Sequence, residues 1–160
     1  MRACLRSAAL ALLVPVLFAQ QVPRTDSQTD PMMGTWKLNP AKSNLAPGRQ
    51  RNIVRKHEPI PGGIRVSWEG IDDAGKPTQW GFTAKFDGKD YPSTGTAVFD
   101  TLSMERPDPY TIIGRSKRAG ELAVEFRWEV SRDGKTLTRT NKRLLPVDQA
   151  GISIEVFEKQ

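Results

Sequence analysis

The residues in this chain whose types suit chemistry are few, and they favour holding a molecule over transforming one. His57 is the only histidine and Cys4 the only cysteine. Nucleophilic catalysis needs an activated group with a base in reach, and one histidine with one cysteine near the N-terminus supplies no such pair. His57, beside Glu58 and Pro59, reads as a solvated histidine at a strand end. Asp72 with Asp73, and Asp87 with Asp90, sit in turn sequences and lack the ligand spacing of a calcium loop. No catalytic residue, metal ligand or cofactor is therefore expected. The signature that would point to an enzyme is a deep pocket holding two carboxyl groups with separated pKa values.

The candidate binding residues come from strand alternation. Leu122, Val124, Phe126, Trp128 and Val130 alternate with Ala123, Glu125, Arg127, Glu129 and Ser131, so their face points inward. Trp80, Phe82, Ala84 and Phe86 form a second such face, and Ile64, Val66 and Trp68 a third. The next segment is different. If Leu137 keeps the inward phase, Arg139, Asn141 and Arg143 share its face, and Thr136, Thr138, Thr140, Lys142 and Leu144 lie opposite. Either the threonine methyls line the core, or Arg139 and Asn141 project inward as polar anchors. An inward guanidinium needs a partner, for which Asp100, in phase with Leu102 and Met104, and a ligand carboxylate are candidates. Trp80, Phe82, Phe126, Trp128, Arg139 and Asn141 thus form the candidate ligand-binding set.

The elements that position these residues are short strands. They are expected at about 52–58, 64–69, 78–86, 98–106, 110–117, 122–131, 136–144 and 152–159, after a first strand at 34–38. Between them lie the turn signals Pro61-Gly62-Gly63, Asp87-Gly88-Lys89-Asp90, Ala119-Gly120 and Asp133-Gly134-Lys135. Tight turns about every ten residues, with no long helix, describe an antiparallel up-and-down meander. Closing it into a barrel of about 8–10 strands removes the unpaired edges. Trp36, two residues after Gly34, either plugs one end of that barrel or is an ordinary first-strand tryptophan. Asn39-Pro40 reads as the cap and first residue of one helical turn.

Residues 1–19 read as a signal peptide: Arg2 and Arg6 precede the apolar run Ala8–Phe18, which is too short to span a bilayer, and Ala19 suits a cleavage site. Residues 20–33 are polar, carry Pro23 and Pro31, and read as a disordered leader; residues 34–160 form one domain. The whole chain has 24 basic and 18 acidic side chains, so losing Arg2 and Arg6 leaves 22 against 18, a net charge of +4. Export and this mild charge make nucleic acid an unsuitable partner. Arg49, Arg51, Arg55 and Lys56, with Arg115, Lys117 and Arg118, are either a basic patch for anionic envelope surfaces or scattered solubilising charge.

Gly34-Thr35-Trp36-Lys37-Leu38-Asn39-Pro40-Ala41-Lys42-Ser43, the Gly88-Lys89-Asp90-Tyr91-Pro92 turn, the Asp133-Gly134-Lys135-Thr136-Leu137-Thr138 hairpin and the Glu155-Val156-Phe157-Glu158-Lys159 ending resemble a group of exported bacterial proteins of unassigned function. That group is regarded as similar to lipocalins. The resemblance implies a lipocalin-like barrel, a bacterial origin and a periplasmic or secreted location. It also implies an arginine late in the barrel packed over Trp36, for which Arg139 and Arg143 are the candidates. The chain departs from secreted lipocalins in lacking their disulfides and final helix.

Two functional expectations follow. One is a non-catalytic exported protein that holds a small hydrophobic or amphipathic molecule, with a solvent-accessible internal cavity lined by Trp80, Phe82, Trp128 and Arg139. The other is an envelope or extracellular interaction module that has a filled barrel and acts through its surface.

Overall fold

A computed structural model describes residues 30–45, 53–71, 74–96, 98–145 and 151–160. The strands are β1 (Gly34–Leu38), β2 (Val54–Ile60), β3 (Gly63–Ile71), β4 (Pro77–Lys85), β5 (Tyr91–Thr94), β6 (Thr101–Asp108), β7 (Thr111–Arg118), β8 (Glu121–Val130), β9 (Thr136–Arg143) and β10 (Gly151–Lys159). Each pairs antiparallel with its sequence neighbours, and β10 returns to β1, so the sheet closes into a ten-strand barrel. This is the expected all-β, lipocalin-like meander. Among the described residues the helical element is one 3-10 turn, Pro40–Lys42, where the Asn39 side chain accepts from the Ala41 and Lys42 amides.

Tight turns fix the register. Ile60 pairs with Gly63, leaving Pro61 and Gly62 as a two-residue hairpin loop with Gly62 at φ +71°. That register sets Arg55 opposite Trp68 and His57 opposite Val66. Directly paired residues share a sheet face, so inward Trp68 and Val66 take Arg55 and His57 inside with them.

The interior has two unlike walls. An aromatic wall comes from Trp68 on β3, Phe82 on β4, and Phe126 and Trp128 on β8, all buried. A polar wall comes from Arg55 and His57 on β2, Arg139 and Asn141 on β9, and Ser153 and Glu155 on β10, also buried. On β2 and β10 the usual polarity is inverted, with Val54, Ile152 and Ile154 facing solvent.

The ordered domain begins earlier than Gly34. Asp30 takes a two-point ion pair from Arg106, at 2.6 Å for each contact, and Met32 is fully buried against the core. The leader expected over 20–33 is thus structured from Asp30 on, because two methionines there have core surface to cover. Residues 20–29, and the signal peptide expected at 1–19, lie outside the described residues.

Two strand expectations are corrected. β5 forms where a turn was expected around Gly88–Pro92. Residues 98–100 precede β6 instead of opening it.

Candidate functional site

Arg55 is the centre of the interior. It is 0% exposed, and its guanidinium carbon lies 4.4 Å from the Trp68 ring centroid, 4.3 Å from that of Trp128 and 5.0 Å from that of Phe157. The ring faces attract the cation but offer no oxygen acceptor, and none of the three guanidinium nitrogens has a hydrogen-bond partner among the described residues. Burial, with the Arg139 charge adding and Glu155 opposing, pushes its pKa well below the ordinary arginine value. A guanidinium starts so far above neutrality that it keeps its charge.

Arg139 and Glu155 supply the interior's ion pair. They face each other across β9 and β10, and Arg139 Nη1 donates to Glu155 Oε2 at 3.0 Å with both side chains under a tenth exposed. The inward phase of β9 is therefore the observed one, with Leu137, Arg139 and Asn141 inside. Asp100 is not the partner: it is exposed, and its carboxylate accepts from the Ala119 amide at 2.7 Å. Asn141 Nδ2 reaches Ser153 Oγ at 3.4 Å, while Asn141 Oδ1 and the Trp128 indole N–H have no hydrogen-bond partner among the described residues.

His57 is not a solvated strand-end residue. It sits within β2, 2% exposed, with its ring stacked on Trp128 at 5.4 Å. Its Nδ1 lies 2.8 Å from the Met32 carbonyl, an acceptor, so Nδ1 carries the proton and Nε2 the lone pair. The same carbonyl accepts from Trp36 Nε1 at 3.3 Å. Trp36 and His57 together pin the Met32 segment to the barrel end. Burial first, then the Arg55 charge, pushes the His57 pKa well below 6.5, against the Met32 bond, which raises it. His57 is neutral in the folded protein.

The candidate aromatics are brought together. Trp80, half-buried, stacks on Trp68 with centroids 3.4 Å apart and meets Phe99 edge-on at 5.8 Å. Phe82 lies 5.7 Å from Trp68 and 6.3 Å from Trp128, and Phe126 lies 5.4 Å from Trp128. Arg139 joins the group 5.7 Å from Trp128 and 5.8 Å from Trp68. Along Trp80, Phe82, Trp128 and Arg139, where an open internal cavity is expected, the side chains lie close together. Trp128 packs on Arg55, Phe82 and Arg139 flank Trp128, and of the four Trp80 alone is not buried. A cavity of about 200 Å³ lies elsewhere, between β6, β7 and β8 beside Ser103, Glu105, Gly114 and Arg115, and shares only Phe126 with the candidate set.

Three other expectations change. The cation over the Trp36 ring is Lys159 Nζ at 5.0 Å, from the last strand, in place of Arg139 or Arg143. Gly34 lies at φ +123°, a backbone conformation that other residues rarely adopt, so the first strand needs a glycine there. Arg55 is removed from the basic surface patch by its burial. Of that patch's other members, Arg49 and Arg51 lie outside the described residues, Lys56 pairs with Glu58 at 2.8 Å, and Lys117 pairs with Asp90 at 2.7 Å. Asp87 accepts from the Tyr91 hydroxyl and the Lys89 amide within its own turn. Among the described residues no three His, Cys, Asp or Glu side chains gather as a metal site.

Sequence reasoning passed over Arg55, His57, Glu155 and Ser153. The signals were local: the Pro61-Gly62 hairpin carries inward Trp68 onto Arg55, and an inward Phe157 carries Glu155 and Ser153 with it by alternation. Compared with known proteins, the chain matches no family model and no curated protein sequence.

Proposed function

We propose that the protein is an exported, non-catalytic binding protein that holds a small hydrophobic or amphipathic molecule among the interior aromatic rings. The observation that carries this reading is the set of buried polar atoms in the interior without partners among the described residues: the Arg55 nitrogens, Trp128 Nε1 and Asn141 Oδ1. In a barrel whose interior served packing alone, apolar side chains of similar volume would be at least as stable. Unpartnered polar groups at the centre are a cost that a polar ligand offsets. The charged and apolar N-terminal segment, Arg2 to Ala19, supports export.

The test is native mass spectrometry of protein purified gently from its own host, followed by denaturing extraction. A stoichiometric small molecule, lost on Trp128→Ala, is the expected result. A clean protein mass, with tryptophan fluorescence unchanged across a panel of lipids and aromatic acids, would overturn the reading.

One observation favours a second reading, a surface interaction module. Ile152 is 66% exposed and Ile154 37% exposed on the outer face of β10. That reading expects the clean mass, together with association with envelope material that is weakened by Ile152→Lys.

A further inference from the structure

Four ionisable side chains lie at least nine-tenths buried among the described residues: Arg55, His57, Arg139 and Glu155. Glu155 is engaged by Arg139 at 3.0 Å, and both guanidiniums lie against the same two indoles, Trp68 and Trp128. With His57 neutral, the interior carries two positive charges and one negative. A net buried charge is costly unless a counter-charge meets it with hydrogen bonds. Arg55 is the place where that counter-charge fits, because its guanidinium donors meet no acceptor among the described residues, whereas Arg139 already has a carboxylate.

Resting on the binding reading above, we propose that Arg55 anchors the ligand's one negative charge, so that the ligand class is a monoanionic carboxylate with a flat apolar body. The carboxylate takes the paired N–H donors of the guanidinium, the geometry for which arginine is best suited. Trp68 is already covered by Trp80 and Arg55, and Trp128 by His57 and Arg55, so the apolar body takes the place of half-buried Trp80 beside Trp68 and Phe82. A single charge also balances the interior: Arg55 with the ligand, Arg139 with Glu155. A dianionic phosphate monoester would overshoot it.

The test uses two probes of matched shape, 1-naphthylacetate and 1-naphthylacetamide, titrated into the full mature chain at pH 7.5 and followed by tryptophan fluorescence. The acid should bind about tenfold tighter than the amide or better, as a charge-assisted bond implies. Arg55→Met should abolish the acid's advantage, bringing the two probes to equal affinity. Equal binding of acid and amide by the unaltered protein would overturn the anchor while leaving the binding barrel standing, a comparison that holds whether or not R55M folds. Binding of neither probe, with a clean native mass, would overturn both.

Discussion

Arg139 and Glu155 stand directly opposite each other on β9 and β10 and close a 3.0 Å ion pair inside the barrel. Glu155 is the single buried carboxylate among the described residues, paired with Arg139 and close enough for its charge to favour that of Arg55. Removing it leaves both cations uncompensated. Glu155→Gln should therefore cost about 3–5 kcal/mol in urea unfolding, and the double variant Arg139→Met with Glu155→Leu should recover most of that loss. Equal losses in the single and double variants would contradict the pairing.

His57 gives the protein a distinct acid response. Its folded pKa lies well below 6.5, so below that pH the unfolded chain takes up a proton that the folded chain refuses. Nothing is lost above pH 6.5. As pH falls from 6.5 towards 5, stability should drop by up to about 1.4 kcal/mol per pH unit from this group, before most carboxylates titrate. His57→Gln should flatten that limb of a plot of unfolding free energy against pH. An unchanged slope would mean that His57 protonates freely in the fold.

Gly114 sits where β7 passes under the Phe126 ring, and a Cβ there would run into that ring and the Ser103 backbone carbonyl. The ring can turn aside, but the carbonyl belongs to the sheet, so the Ser103 backbone must shift as well. Gly114→Ala should cost about 1–3 kcal/mol and alter the near-ultraviolet circular dichroism of Trp128, whose ring lies 5.4 Å from Phe126. Unaltered stability and dichroism would contradict that packing.

β5 is the weakest stave. It is four residues long and pairs at two positions with β4 and two with β6, whereas β3 and β4 pair at nine. Pro92 has no N–H to contribute. Hydrogen exchange should be faster for Tyr91, Ser93 and Thr94 than for any β3 or β8 amide, making this gap the route to the half-buried Trp80 and the rings behind it. Protection of β5 equal to that of β8 would close that route.

The fold was legible because turns and alternation agreed. Leu122–Ser131 alternates cleanly, and Asp133-Gly134 turns where the strand pattern expects it. The site was less so, because hydrophobic pattern and burial part company on the strands that build the polar wall. Val54, Ile152 and Ile154 look like core residues and face water, while Arg55 and Glu155 look like surface residues and face the centre. Register, not polarity, decides these strands, and register was available only through the Pro61-Gly62 turn and the inward phase of Phe157. Asp100 failed as the internal partner because β6 starts after it. β5 was hidden by Pro92 and the turn residues before it.

The account turns on whether Arg55 serves a ligand or the fold, and unfolding of Arg55→Met in urea without added ligand tests this most directly. The substitution keeps side-chain bulk, leaves Arg139 and Glu155 balanced, and removes a buried cation that has no acceptor. A binding role predicts a variant as stable as the unaltered protein or more so, by up to about 2 kcal/mol. A loss of more than about 2 kcal/mol would show that the contacts of Arg55 with Trp68, Trp128 and Phe157 hold the barrel together, and would contradict the binding account.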